Sequence, residues 1–370
     1  MTPSHRPVPY SRLLAEMPSI VPFVGPETLE RKRGAAYQTR IGANESAFGA
    51  APSVLAALQR EMSRSAWYCD PEHHDLRQKL ATTMAVQPQN LVVGEGIDGL
   101  LGLIVRAFLN PGETVVSSLG AYPTFNYHVA GFGGRLALVP YSQSCHNDVD
   151  ALLAKARQTK AKLLYLANPD NPTGTFLGRG VIEQILANLP DDCLFVFDEA
   201  YVEFAPQDGL APLDVSDPRL IRLRTFSKAH GLAGLRVGYG IAHERIIADF
   251  NKIRSHFGVG RLSQIAATAS LDDPQFIASV IAQVAQGRSD YEDLADRLGL
   301  NKIRSLTNFL AIDLESEARS RKMVELLDQR GIFVRRPAVP QLGRFVRITV
   351  GQTEERARFC AGFESALKEL

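Results

Sequence analysis

Three short stretches of this chain carry residue types that could build a small polar active site. Asn171 lies in ANPDNPTGTF, 167–176, where two X-Pro bonds and a glycine fix an extended turn and give its amide a definite direction. Asp198 follows the apolar run of FVFDEAYVEF, 195–204. Its carboxylate is expected to be partly buried, and so to need a cationic partner or several hydrogen bonds. Lys228 comes just past a strand in RTFSKAHGLAGLRVGYG, 224–240, beside Ser227 and ahead of Arg236. Gly231, Ala233 and Gly234 in that stretch suit backbone packed closely against a ligand. Each feature has an ordinary alternative. NPTG is also plain turn chemistry, an aspartate after a strand is also a helix N-cap, and a lone lysine at a strand end is usually solvated.

A fourth stretch, LVVGEGIDGLL at 91–101, spells G-x-G-x-x-G with Gly94, Gly96 and Gly99. A dinucleotide-binding fold wants that turn after its first strand, with an acid about 20 residues on at the end of the next strand. Here the next strand candidate ends TVVSS, with Ser117 and Ser118 in the acid's place, which argues against NAD. A strand that delivers a glycine turn into a helix still presents free N–H groups and the positive end of a helix dipole, a cup for a small phosphate. The alternative is a turn that needs glycine for its backbone angles alone. Together the four stretches offer a phosphate cup, a partly buried carboxylate, a positioned amide and a lysine able to form an imine. Pyridoxal phosphate requires that set: a lysine for its aldehyde, an acid for its ring nitrogen, a donor for its 3-oxygen and a nest of donors for its phosphate.

The frame around these residues reads as α/β. VLAALQREM and HDLRQKLATTM have the three- and four-residue recurrence of amphipathic helices. Seven short apolar runs come after them, near 91, then at 114–118, 136–140, 162–168, 193–200, 220–226 and 236–242, mostly separated by helix-length segments. That alternation predicts a largely parallel sheet. The last two runs are too close for a crossover helix, so one strand there is expected to run antiparallel. From about 261 the pattern changes to long helical stretches and then NFLAIDL, GIFVRR and RFVRITV, expected strands of a smaller α+β domain.

Bulk properties exclude several functions. Forty-one basic residues against 40 acidic ones leave a net charge of +1, no electrostatic footprint for nucleic acid or an anionic membrane. The four cysteines lie far apart with no C-x-x-C pair, so reduced structural thiols are expected rather than a metal site or a disulfide. The first 20 residues lack a signal-peptide core and no run approaches a membrane span, so a cytoplasmic protein is expected.

NPDNPTG, DEAYVEF, SKAHGLAGLRVGY and FVRITVG, in that order, resemble the class I/II pyridoxal-phosphate aminotransferases of fold type I, from about Asn44 to Gly351. Within them the chain looks most like the histidinol-phosphate aminotransferase group. The resemblance implies a large domain at 45–260, with a mostly parallel seven-stranded sheet between helices. It also implies a small α+β domain in which an N-terminal arm, 1–44, joins 261–370. The implied cofactor is pyridoxal 5'-phosphate, with Lys228 as the imine-forming lysine and Asp198 paired with the ring nitrogen. Asn171 and Tyr201 would hydrogen-bond the 3-oxygen. Gly96, Ile97 and Asp98 would form the phosphate cup, completed by Ser227 and Arg236. Phe125, in YPTF, takes the place of the aromatic that stacks on the cofactor ring. Tyr68 matches a tyrosine that reaches the phosphate in the neighbouring subunit, which implies a homodimer with composite sites. Arg347 would clamp the substrate carboxylate, with Asn44 nearby. Arg335 matches an arginine for a distal phosphate, and Arg336 beside it is equally available.

The implied reaction moves an amino group between an amino donor and a 2-oxo acid, with Lys228 as general base. Histidinol phosphate with 2-oxoglutarate is the expected pair. Departures from the family pattern bear on this choice: NESAFG has Ala47 and Phe48 where the family usually has Pro-Tyr, Ile97 is larger than usual in the cup, and Gly99 replaces a commonly acidic position. An aromatic amino-acid aminotransferase would use the same frame with an apolar pocket, which Phe48 suits. Decarboxylation of a phosphorylated amino acid is a further alternative. A non-catalytic binding protein would be expected to have lost Lys228 or Asp198, and both are present.

Overall fold

The computed structural model describes residues 8–17 and 24–370, so the expected arm at 1–44 lies partly outside the described residues. Twelve strands occur among them: β1 (Thr39–Arg40), β2 (Leu91–Gly94), β3 (Thr114–Ser118), β4 (Arg135–Val139), β5 (Leu163–Ala167), β6 (Leu194–Asp198), β7 (Leu220–Thr225), β8 (Gly238–Ala242), β9 (Lys302–Ile303), β10 (Phe309–Asp313), β11 (Ile332–Phe333) and β12 (Phe345–Thr349). All seven apolar runs become strands of one sheet, in the order β2-β8-β7-β6-β5-β3-β4. Pairs from β4 through β7 are parallel, whereas β8 runs antiparallel to both β7 and β2. The cause is the one anticipated: residues 226–237 are too few for a helical crossover.

Both faces of the sheet are covered, which is why its central strands are almost uninterrupted apolar runs. Val115 and Tyr165 point to one face and pack with Leu100, Ile104 and Phe250. Val116, Leu164 and Leu166, one position away on the same strands, pack on the other face with Leu152, Ile182 and Ile185. A separate cluster under β2 and β8 joins Val54, Leu76 and Leu80 to Val93, Tyr239 and Ile241. Ala266 and Ala267, from the helix Arg261–Leu271, belong to that cluster and pack against the helices that carry Val54 and Leu80.

The second core forms around the long helix Pro274–Arg297, whose Val280, Val284, Tyr291 and Leu294 meet Phe309, Leu310 and Ile312 of β10 and Phe359 and Phe363 of the C-terminal helix. The three-stranded sheet has the order β12-β10-β9. GIFVRR does not join it as a full strand. β11 pairs instead in parallel with β1, and Arg335 bridges to Arg347 of β12. Among the described residues, no helix is long and apolar enough to cross a membrane.

Candidate active site

Parallel strands end at a common edge, and the loops they lead into must converge there. β5 leads to Asn171, β6 ends at Asp198 shortly before Tyr201, and β7 ends just before Ser227 and Lys228. β2 delivers Gly96 from a neighbouring position in the sheet. Asn171, Asp198, Tyr201, Ser227 and Lys228, with Ile97 and Asp98 just after Gly96, line one cavity of about 780 Å³, together with Arg335, Arg336 and Arg347.

Asp198 is 3% exposed, and its Oδ2 accepts from the Tyr165 hydroxyl at 2.7 Å while Oδ1 accepts from the Ala200 N–H at 3.0 Å. Burial, reinforced by the carboxylates of Asp98 and Glu199, outweighs those two hydrogen bonds and pushes its pKa up to about 6. Lys228 Nζ donates to the Asn44 carbonyl at 2.9 Å and lies 5.5 Å from the centre of the Tyr201 ring. Asn44 holds a left-handed φ of 56° and donates from Nδ2 to the Tyr201 hydroxyl at 2.9 Å. The residue is fixed on both sides, because its N–H donates to Thr349 Oγ1 at 3.0 Å and its Oδ1 accepts from the same hydroxyl at 3.2 Å.

The expected phosphate cup is assembled from three elements. Gly96 opens the helix Gly96–Phe108 with φ +70°, and a Cβ there would sit 2.5 Å from Arg236 Nη2. Gly238 of β8 lies against it, where a Cβ would come within 3.2 Å of Gly96 Cα. Arg236 donates to Ser227 Oγ at 3.4 Å and pairs with Asp98 Oδ2 at 3.4 Å. Thr225, absent from the sequence expectation, donates from its hydroxyl to Ser227 Oγ at 2.9 Å and accepts from the Ser227 N–H at 3.0 Å. A glycine helix N-terminus, two hydroxyls and a guanidinium form a donor set suited to a phosphate. Across the cavity Asp198, a buried carboxylate without an ion pair among the described residues, has the chemistry to take a protonated ring nitrogen. The residues present therefore fit pyridoxal phosphate.

Desolvation of the half-buried Arg347 lowers its pKa to about 10 and leaves it cationic near neutrality. Its Nη1 donates to Asn171 Oδ1 at 2.6 Å and its Nη2 to the Gly42 carbonyl at 3.3 Å. Arg335 is its cross-strand neighbour and donates from Nη2 to the Val24 carbonyl at 2.7 Å. Arg336 lines the cavity too, but Nη1 is engaged by Glu317 and by the Gly343 carbonyl, each at 3.2 Å.

One expectation meets a different placement. Phe125 does not line the cavity: it is fully buried in the sheet core, its ring stacked on Tyr165 at 4.5 Å between centroids. The helix Pro123–Gly131 turns Phe125 toward the sheet, and the cavity-lining aromatic of YPTF is Tyr122 at the helix N-cap. Burial, then the Asp98 carboxylate, holds the Tyr122 hydroxyl well above its ordinary range. A tyrosine immediately before a helix-starting proline was the available signal. Tyr68 does not reach its own chain's cavity. It is 82% exposed, with its ring 5.2 Å from that of Phe257 and its carbonyl accepting from Arg261 Nη2 at 2.8 Å.

Residues 37–363 match the family Aminotransferase class I and II. Histidinol-phosphate aminotransferase 2 of Carboxydothermus hydrogenoformans is 33% identical over 364 residues, covering 97% of this chain and 99% of that protein. The Roseiflexus castenholzii histidinol-phosphate aminotransferase is 36% identical over 92% of this chain and 94% of its own. Among solved structures, the Sinorhizobium meliloti histidinol-phosphate aminotransferase in complex with pyridoxal-5'-phosphate superposes with a TM-score of 0.95 at 43% identity, covering 99% of both chains. The match over residues 37–363 and the relatives' coverage of nearly the whole length show that the chain belongs to the class I and II aminotransferases.

Proposed function

We propose that this aminotransferase uses pyridoxal 5'-phosphate to move the amino group of histidinol phosphate to 2-oxoglutarate. The observation that carries the choice is the pair Arg335 and Arg347, cross-strand neighbours that both line the cavity. Two guanidiniums match a phosphate dianion, or the two carboxylates of 2-oxoglutarate. Phenylalanine, with one carboxylate, would leave one of them unmatched. The similarity to the histidinol-phosphate aminotransferases supports the same reading.

Bound in the cavity, the cofactor supplies an electron sink for the bond broken at the substrate's α-carbon. Gly96, Ile97, Asp98, Ser227 and Arg236 would hold its phosphate, with Tyr122 among the residues lining the cavity beside it. Asp198 would keep the ring nitrogen protonated. Asn171 and Tyr201 are placed to hydrogen-bond the 3-oxygen, with Asn44 orienting Tyr201. Lys228 would hold the cofactor covalently and, when free, would take the proton from the substrate's α-carbon. Arg347 would hold an anionic group of the substrate. A single panel tests the substrate: purified enzyme with 2-oxoglutarate, offered histidinol phosphate, phenylalanine, tyrosine and aspartate in parallel. The expected result is a kcat/KM for histidinol phosphate at least about 10-fold above the others. Preference for phenylalanine or tyrosine would move the assignment to the aromatic aminotransferases.

Tyr68 supports a two-fold dimer with composite sites, because it, Trp67 and Phe257 are large exposed side chains grouped away from their own cavity. Mixing Tyr68→Ala with Lys228→Ala protein is the test. In a mixed dimer one site carries both lesions and the other carries neither, so subunit exchange is expected to restore activity to one site of each mixed dimer. Exchange without recovery would mean that Tyr68 serves its own chain.

A further inference from the structure

The segment after Arg336 crosses from the second core to the first and closes the outer side of the cavity. Pro337, Ala338 and Val339 line it there, along with Leu119 and Leu138. What pins this segment is one side chain. Gln341 Oε1 accepts from the Tyr141 N–H at 3.0 Å, and Gln341 Nε2 donates to the Tyr141 carbonyl at 2.7 Å. The amide thus pairs with the backbone just past β4 as a neighbouring strand would, using one donor and one acceptor. A third contact runs from Nε2 to the Ser142 carbonyl at 3.4 Å.

Packing repeats the link. Val339, Leu342 and Phe345 share an apolar cluster with Tyr141 and Cys145. Val339 also sits on Gly120, where a Cβ would come within 2.8 Å of Val339 Cγ2. The clasp continues inward as well. The buried Tyr141 hydroxyl lies 3.4 Å from Asp170 Oδ1, and Asp170 adjoins Asn171, the partner of Arg347.

We propose that Gln341 is a positioning residue for substrate selection: by clasping Tyr141 it holds Val339 and Pro337 as an apolar wall against the ring of the amino donor. This rests on the aminotransferase reading but not on the choice among ring-bearing donors. Histidinol phosphate and phenylalanine both carry a planar ring to lay on such a wall, whereas glutamate, the donor formed from 2-oxoglutarate, carries none. Loss of the clasp leaves Lys228, Asp198 and the arginines in place, so it weakens binding of ring donors and spares the chemistry.

Single-turnover half-reactions with histidinol phosphate, phenylalanine and glutamate, on wild type, Gln341→Ala, Gln341→Glu and Val339→Ala, test this. For Gln341→Ala the half-saturating concentration of the ring donor that wild type accepts is expected to rise about 10-fold, with its maximal rate and both glutamate parameters within about twofold. Gln341→Glu should behave like Gln341→Ala, because a carboxylate sets an acceptor against the Tyr141 carbonyl. Hydrogen exchange supplies a readout independent of turnover: the Tyr141 amide should exchange faster in both Gln341 variants and unchanged in Val339→Ala, which loses ring-donor affinity alone. Equal losses for ring donors and glutamate, no loss at all, or a wild-type Gln341→Glu would overturn the proposal. Wild type that accepts only histidinol phosphate, only phenylalanine, or both changes the substrate reading and leaves this comparison intact.

Discussion

Lys228→Ala is expected to lower transamination by at least about 10⁴-fold while the protein stays folded. Lys228 is the one lysine lining the cavity among the described residues. Its ammonium donates to the Asn44 carbonyl at 2.9 Å, a contact that contributes little to the fold beside the apolar cores on either side. On the proposed reading, removing it would take away two functions at once, the covalent hold on the cofactor and the base that moves the α-proton. Those functions act in series, so their loss is not shared with other groups. The phosphate cup is untouched, and the variant is expected to retain cofactor noncovalently, with an unchanged circular dichroism spectrum. In the wild type, borohydride reduction and then peptide mapping should place the cofactor on Lys228. A label on another lysine would remove the assignment.

The sheet was legible in the sequence because its strands are buried on both faces, so apolar runs of strand length stand out against the helices between them. Asp198 and Lys228 were legible for a related reason: each is a charged side chain placed at the end of such a run. Phe125 faces the sheet core rather than the cavity because the phase of a helix is set by what it packs on. Tyr165, which captures Phe125, lies far away in sequence. The helix Arg261–Leu271 reads as the start of a new pattern, yet it packs against the helices that carry Val54 and Leu80, in one apolar cluster with Tyr239. The pairing of β11 with β1 joins residues 39–40 to 332–333, and nothing local in either stretch announces it. Gln341 is silent in the sequence for the same reason, since its partner is 200 positions away.

Asp198→Asn is expected to reduce turnover by about 10²–10³-fold and, unlike Lys228→Ala, to change how the cofactor-free protein responds to pH. An amide is nearly isosteric: its oxygen can accept from the Ala200 N–H while its NH2 donates to the Tyr165 hydroxyl, so the fold should persist. It cannot hold the ring nitrogen protonated, and the electron sink weakens. The stability effect has the opposite sign. Asp198 is raised from 3.8 to about 6 in the folded chain, chiefly by burial. The folded state therefore holds this proton more tightly than the unfolded state. The advantage is fully present below about pH 4 and is lost as pH rises through about 6, a change on the order of 3 kcal/mol. Near pH 7.5 the cofactor-free wild type carries a buried carboxylate without an ion pair, and the asparagine variant does not. Denaturant melts of both cofactor-free proteins at pH 5 and pH 7.5 should then show the wild type losing more stability over that interval than the variant. Cofactor binding should reverse the ranking at pH 7.5, because a protonated ring nitrogen gives the carboxylate the countercharge it lacks. Parallel pH dependence in the two cofactor-free proteins, or near-normal turnover by the variant, would remove Asp198 from this role.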